Sequence, residues 1–134
     1  MPRRAVRAAA GPLLACLVLS GPATAEDDCP FGVTEHEAIE KALGAASSCA
    51  AAVKIFRACA LGASGDVARG ALVQQRCERD FLARLSAPER QSYKAAVAAC
   101  WRKYGRREGT MYLAMAADCA VAVSQRYSAR KVGR

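Results

Sequence analysis

Six cysteines, Cys29, Cys49, Cys59, Cys77, Cys100 and Cys119, follow a leader-like N-terminus in a chain of 134 residues. An even set of thiols in so short a chain constrains the fold more than any other feature, because it implies a covalent frame. Whether that frame forms depends on the redox compartment, and the N-terminus bears on this. Arg3, Arg4 and Arg7 open the chain with no acid before Glu26, and an apolar run over 13–19 is followed by Ala23-Thr24-Ala25. That order describes a secretory signal peptide, residues 1–25, removed by cleavage after Ala25. The apolar block is continuous rather than amphipathic, unlike a mitochondrial presequence. It also runs on past Cys16, unlike a lipoprotein box, and Arg3-Arg4 alone does not make a twin-arginine signal. The expectation is an exported protein of the bacterial periplasm, whose six remaining cysteines are oxidised to disulfides.

Residues 26–134 are enough for a single small domain. They contain no apolar stretch near ~20 residues, so no transmembrane span is expected. The whole chain carries a net charge of +8. Three of those charges are leader arginines, which leaves about +5. The remaining charge is segregated. Glu26, Asp27, Asp28, Glu35, Glu37 and Glu40 all precede Lys41, whereas Arg102, Lys103, Arg106 and Arg107 cluster within six residues. The basic cluster is a candidate patch for a protein or an anionic component of the cell envelope. A solvated helix face with a frayed basic tail over 128–134 accounts for the same residues. Export makes nucleic acid a poor partner.

Alanine is abundant, β-branched residues are sparse and strict alternation is absent, which favours helix over strand. Thr34-Glu35-His36-Glu37 has the form of a capping box, opening one bent helix or two short ones over about 35–61, interrupted near Gly44 or Ser47-Ser48. Ser64 or Asp66 caps the next helix, where Val73, Cys77, Phe81 and Leu85 recur at four-residue steps. Ser86-Ala87-Pro88-Glu89 is a second capping box with proline in the first turn. Tyr93, Val97, Cys100, Trp101 and Tyr104 then form an amphipathic stripe that ends at Gly105. Gly109-Thr110 opens a last helix, with Tyr112, Met115, Cys119, Val123 and Tyr127 on one face. The expected architecture is all-α, a small antiparallel bundle of three to four helices stapled by disulfides.

Six cysteines permit ~15 pairings. Helix geometry removes some, since Cys49 and Cys59 on one helix would stand about 15 Å apart, beyond the ~7 Å that a disulfide spans. Folding back at 62–65 brings Cys49 level with Cys77. Folding back at 105–109 brings Cys100 near Cys119, although the turn at 86–88 would also set Cys77 near Cys100. The preferred set is Cys49–Cys77, Cys100–Cys119 and, for the remainder, Cys29–Cys59.

Sites of chemistry are scarce. His36, the sole histidine, sits beside Glu35 and Glu37 in a first helical turn, where a solvated role is the default. No G-x-S-x-G or C-x-x-C occurs, so neither a serine nucleophile nor a zinc site is indicated. Glu78 and Asp80 are two residues apart and point to different sides of a helix. Asp118 is expected to pair with a basic side chain. Trp101 and the four tyrosines could line a groove, though core packing is the ordinary fate of aromatics at helical spacing. No catalytic residue, cofactor or metal is indicated, and the chain is read as a non-enzyme.

Cys77 with Asp80 and Leu82, Trp101-Arg-Lys-Tyr104, Glu108-Gly109-Thr110, Ala117-Asp118-Cys119 and Gln125-Arg126 together carry a family likeness. Over residues 77–127 the chain resembles the periplasmic LprI-like lysozyme-inhibitor family. It departs from the family pattern at Ala83-Arg84 and in placing Cys100 before the W-x-x-Y motif. The resemblance implies an exported binding domain that inhibits a cell-wall-acting enzyme. The alternative is a structural or stress-protective periplasmic domain without a fixed ligand.

Overall fold

A computed structural model describes residues 29–132. The expected signal peptide and cleavage site fall on residues 1–28, which with 133–134 lie outside the described residues. The fold is all-α, with α1 (His36–Ala45), α2 (Cys49–Cys59), α3 (Gly65–Phe81), a 3₁₀ turn (Leu82–Arg84), α4 (Ala87–Tyr104) and α5 (Thr110–Val132). Five helices form where three or four were expected, because the chain breaks at 46–48. Ser48 takes an extended conformation there, and its hydroxyl accepts from the Ala51 N–H at 3.1 Å, starting α2 afresh.

Successive helices alternate in direction. His36 meets Arg69 and Gly44 meets Arg79, so α1 runs with α3. The Cys49–Cys77 bond, with Arg69 bonded to the Cys59 carbonyl, sets α2 against α3. Ser128 reaching Asp80, and Gly70 against Ala117, make α5 a parallel neighbour of α3. Cys100–Cys119 and Lys131–Glu89 run α4 antiparallel to α5. α5 therefore lies between α3 and α4, and its contacts with these two helices are the most extensive in the fold. α4 rests mainly on α5 and reaches α3 chiefly through Tyr93, while α1 packs on α2 and α3.

This placement explains which sequence stripes are buried. Val73, Cys77, Phe81 and Leu85 are all buried, as their spacing indicates. On α4 only Tyr93 and Cys100 are fully buried, because the helix has one principal neighbour. On α5 the expected face lies only partly in the core, where Val123 is buried and Tyr127 packs on Phe81. Met115 is exposed, and the buried positions include Ala117, Ala120, Val121, Ser124 and Ser128. A helix held between two others needs small residues on both sides. Gly70 of α3 extends that requirement, since a Cβ there would stand 3.1 Å from the Ala117 Cβ.

The helix starts divide between those that follow their local signals and those set from elsewhere. The Ser86–Glu89 capping box forms in full, with Ser86 N–H donating to Glu89 at 2.8 Å and Glu89 N–H to the Ser86 hydroxyl at 3.4 Å. The box expected at Thr34 does not form, and α1 starts after Glu35 with no side-chain cap. The lead-in is instead a run of turns fixed by the Cys29–Cys59 bond, including Gly32 N–H to the Cys29 carbonyl. At α3 neither Ser64 nor Asp66 acts as a conventional cap. The buried Asp66 carboxylate reaches back to accept from the N–H groups of Leu61, Gly62 and Ala63. Gly62, at φ +69°, lets the loop curl so that these amides converge. The C-terminus also differs from expectation. α5 continues through 128–132, where a frayed tail was anticipated, because Ser128 is buried and Lys131 is tied to Glu89 while its carbonyl accepts from Arg84.

The three disulfides are Cys29–Cys59, Cys49–Cys77 and Cys100–Cys119, with Cα separations of 4.7, 4.4 and 5.6 Å. These are the preferred pairs from the fold-back argument. Each bridge typically contributes ~2–4 kcal/mol.

Candidate functional site

One end of the bundle gathers the α2–α3 loop and the α4–α5 turn, and most of the surface chemistry lies there. The basic cluster is built by the end of α4. Gly105 N–H closes the helix on the Trp101 carbonyl at 2.9 Å, and Arg107 N–H bonds the Tyr104 carbonyl at 3.0 Å. The Cys100–Cys119 bond holds this turn to α5. Arg102, Lys103, Arg106 and Arg107 are all exposed. Lys103 lies 4.8 Å over the Tyr104 ring, and the Arg107 guanidinium lies 5.0 Å over Tyr112.

The cationic surface is larger than the turn. Arg90 and Lys94 are also exposed on α4, one helical turn apart, with Arg102 two turns further along the helix. Among the described residues no carboxylate pairs with any of these six cations. The four-residue step from Arg90 to Lys94 was readable in the sequence, but the alanine-rich stretch 95–99 separates it from the basic cluster at 102–107. The exposed acids Glu35, Glu37 and Glu40 lie at α1, across α3 and α5 from α4.

Beside the basic turn lies a groove of about 610 Å³, lined by Phe56, Arg57, Tyr104, Met111, Met115 and Asp118 among others. Asp118 faces Arg57 at 3.7 Å, with both side chains half exposed, which places the expected ion pair on the groove wall. Met111 and Met115 are 55% and 40% exposed. Sequence periodicity could not find this groove, because it joins α2 to α5.

The other sequence candidates are structural. Tyr93 and Tyr127 pack with Phe81 at centroid distances of 5.0 and 5.7 Å in the core, so the aromatics are divided between core and groove. The Tyr93 hydroxyl donates to Glu78 at 2.7 Å and shares a hydrogen bond with Ser124 at 2.8 Å. Burial, reinforced by the Glu78 carboxylate against the opposing Ser124 bond, pushes the Tyr93 phenol well above its ordinary range.

Asp80 points the other way. It accepts from the Cys49 N–H at 3.1 Å, from Arg76 at 2.6 Å and from Ser128 at 3.3 Å. Burial works to raise its pKa, but the bonds from Arg76, Cys49 and Ser128 outweigh it and hold the carboxyl below the ordinary value. Arg76 also donates to the Ala46 and Ser47 carbonyls, fastening the α1–α2 link to α3. His36 is exposed, and its Nδ1 lies 2.9 Å from the buried Arg69 guanidinium.

Among the described residues no cluster of three or more His, Cys, Asp or Glu could hold a metal ion, and no helix is long and apolar enough to cross a membrane. Among the described residues the arrangement offers exposed charge beside an apolar groove. Comparison with protein-family models, with characterised proteins and with solved structures finds no match to this chain.

Proposed function

We propose that the chain is an exported, non-enzymatic binding protein that attaches to an anionic component of the bacterial cell envelope through its α4 flank. The observation that carries this reading is the cluster of exposed cations on α4 and the turn after it. Six exposed cations on α4 and the following turn lack carboxylate partners among the described residues, while the acids of α1 lie across the bundle. Such a flank attracts a polyanionic surface over roughly a Debye length, ~8–10 Å at ordinary salt. Three disulfides suit an oxidising compartment, and the basic, apolar N-terminus suits export to the periplasm.

Co-sedimentation with vesicles tests this reading. Vesicles containing phosphatidylglycerol should retain the protein at low salt and release it as salt rises, whereas phosphatidylcholine vesicles should not retain it. Arg102→Glu with Arg106→Glu should abolish retention. Retention that ignores both salt and these substitutions would remove the reading, and a chain retained by neither vesicle favours the structural or stress-protective alternative.

A second reading rests on the opposite flank. Exposed Glu35, Glu37 and Glu40 offer an acidic surface to a basic cell-wall enzyme, as the LprI-like resemblance implies. A lysozyme-inhibition assay sensitive to Glu37→Lys with Glu40→Lys supports that reading, and full lysozyme activity at saturating protein excludes it. Hydrolytic turnover lost on His36→Ala would overturn the non-enzymatic reading altogether.

A further inference from the structure

The geometry points to the Cys100–Cys119 disulfide as a reducible clasp, opened by a dithiol that enters through the α2–α5 groove and frees the basic turn from the bundle. Between residues 94 and 113 the only fully buried residue is Cys100. Ala96 and Val97 touch the core as half-buried residues, and Trp101 and Tyr104 are likewise half-buried. The backbone bonds of the turn are local, from Gly105 to Trp101, Arg107 to Tyr104 and Tyr112 to Gly109. The flanking segments are better held. Tyr93 is buried against Phe81 and bonded to Glu78 and Ser124, while Ala117 and Val121 of α5 lie close against Gly70 of α3. The segment carrying Arg102, Lys103, Arg106, Arg107 and Glu108 therefore depends on the Cys100–Cys119 bond for its place on α5.

Burial sets the direction of attack. Cys100 is 3% exposed, whereas Cys119 is half-buried and lines the groove of about 610 Å³. Cys119 is thus the end of the bridge that an incoming thiolate reaches. Attack there forms a mixed disulfide at Cys119, breaks the Cys100–Cys119 bond and leaves the electron pair on the Cys100 sulfur, which takes up a proton. The second thiol of the dithiol then displaces the Cys119 sulfur, which is protonated in turn. The dithiol ends as a cyclic disulfide, and its electrons and protons have passed to Cys100 and Cys119, which end as thiols. Neither of the other bridges has this role. Cys49–Cys77 is sealed, at 2% and 0% exposure. Cys29 is half-buried, but its bond to Cys59 holds the lead-in to α1, which Arg69 also grips through the Val33 carbonyl and His36. The clasp operates whatever the cations bind, so it stands apart from the envelope reading.

Brief exposure of the disulfide-intact protein to glutathione, quenched with acid and followed by peptide mapping, tests the direction. The adduct should sit on Cys119 at least about tenfold more often than on Cys100, since the accessible sulfur is the one attacked. An adduct mainly on Cys100, or none on either, would overturn the proposal. Dithiothreitol under native conditions tests the release. Cys100 and Cys119 should take up iodoacetamide while Cys49 and Cys77 stay protected. Trypsin should then cut after Arg102 and Lys103, inside α4, at least about tenfold faster, because cleavage follows the open population. Unchanged cleavage after both cysteines are labelled would show that the half-buried contacts hold the turn unaided, and would sink the clasp. Opening of all three bonds in a single step with loss of helix would do the same. Cys100→Ser with Cys119→Ser should be cut at the fast rate without reductant. Reoxidation of the natural protein should restore the slow rate, and a reoxidised protein that stays susceptible would count against the clasp even where the serine variant does not fold.

Discussion

Gly70 of α3 and Ala117 of α5 approach so closely that a Cβ on Gly70 would stand 3.1 Å from that of Ala117 and 3.6 Å from the Val121 side chain. The contact lies at the centre of the most extensive helix pair in the fold. A branched side chain at 70 has no space to occupy. Gly70→Val is therefore expected to lower stability by ~1–3 kcal/mol, the usual cost of overpacking, measurable by urea denaturation with the disulfides intact. An unchanged denaturation midpoint would show that α3 and α5 separate more readily than their packing indicates.

Asp80 joins three parts of the chain, through the Cys49 N–H, Arg76 and Ser128. Asp80→Ala strands the largely buried Arg76 and an N-terminal amide of α2. The expected loss is ~3–5 kcal/mol, as for breaking a buried pair from one side. Asp80→Asn, which keeps an acceptor oxygen, should lose less. Thermal unfolding of the two variants side by side measures the difference.

Glu89 accepts from Lys131 at 2.8 Å and from the Ser86 backbone N–H, and these bonds pull its pKa from 4.5 down to about 2. A carboxyl whose folded-state pKa is depressed adds stability above its unfolded value and loses that stability as pH falls through the folded one. Stability should therefore decline between pH 4.5 and about 2, with Asp80 contributing in the same direction. In Glu89→Gln the Glu89 part of this decline disappears. Denaturation midpoints collected across that range for both proteins provide the check.

Of the four tyrosines, Tyr93 is the one buried in the core, hydrogen-bonded to Glu78 and Ser124. Its phenol should be the last to ionise in an alkaline spectrophotometric titration, and Tyr93→Phe should remove that late step. The same substitution should cost ~0.5–1.5 kcal/mol, the net worth of an ordinary hydrogen bond.

The Cys100–Cys119 bond is the covalent tie between α4 and α5, and α4 has little other support beyond α5 itself. Replacing both cysteines by alanine should cost ~2–4 kcal/mol. Hydrogen exchange should also quicken along α4 while α1–α3 stay protected by their own two disulfides. Uniform acceleration throughout the chain would indicate a single cooperative unit instead.

The Cys49–Cys77 bond was the most legible part of the sequence, because folding back at 62–65 sets the two level, whereas Cys100–Cys119 competed with Cys77–Cys100 until Cys77 was taken by Cys49. Strong local signals also held wherever nothing overrode them, as in the Ser86–Glu89 box and the stripe from Val73 to Leu85. Thr34 failed as a cap because the Cys29–Cys59 bond dictates the path of the lead-in. The core face of α5 was only partly read, with Val123 and Tyr127 in the core and Met115 outside it, because periodicity was scored on large residues, whereas a helix between two neighbours also buries alanine and serine. Of the candidate site, the clustered cations of the turn were plain in the sequence. The groove was not, since Phe56 and Met115 meet only once α2 has been laid on α5.

The position of α5 between α3 and α4 also sets an order of assembly. A chain that enters an oxidising compartment N-terminus first can close Cys29–Cys59 and Cys49–Cys77 before α5 has followed. α4 arrives next, but its principal neighbour is still absent. It must remain a loose helix, with Tyr93 and Cys100 bare, until Thr110–Val132 arrives and fills the gap. The final helix synthesised thus completes both halves at once, and a chain stopped before it would hold a stapled N-terminal half and a free thiol at Cys100.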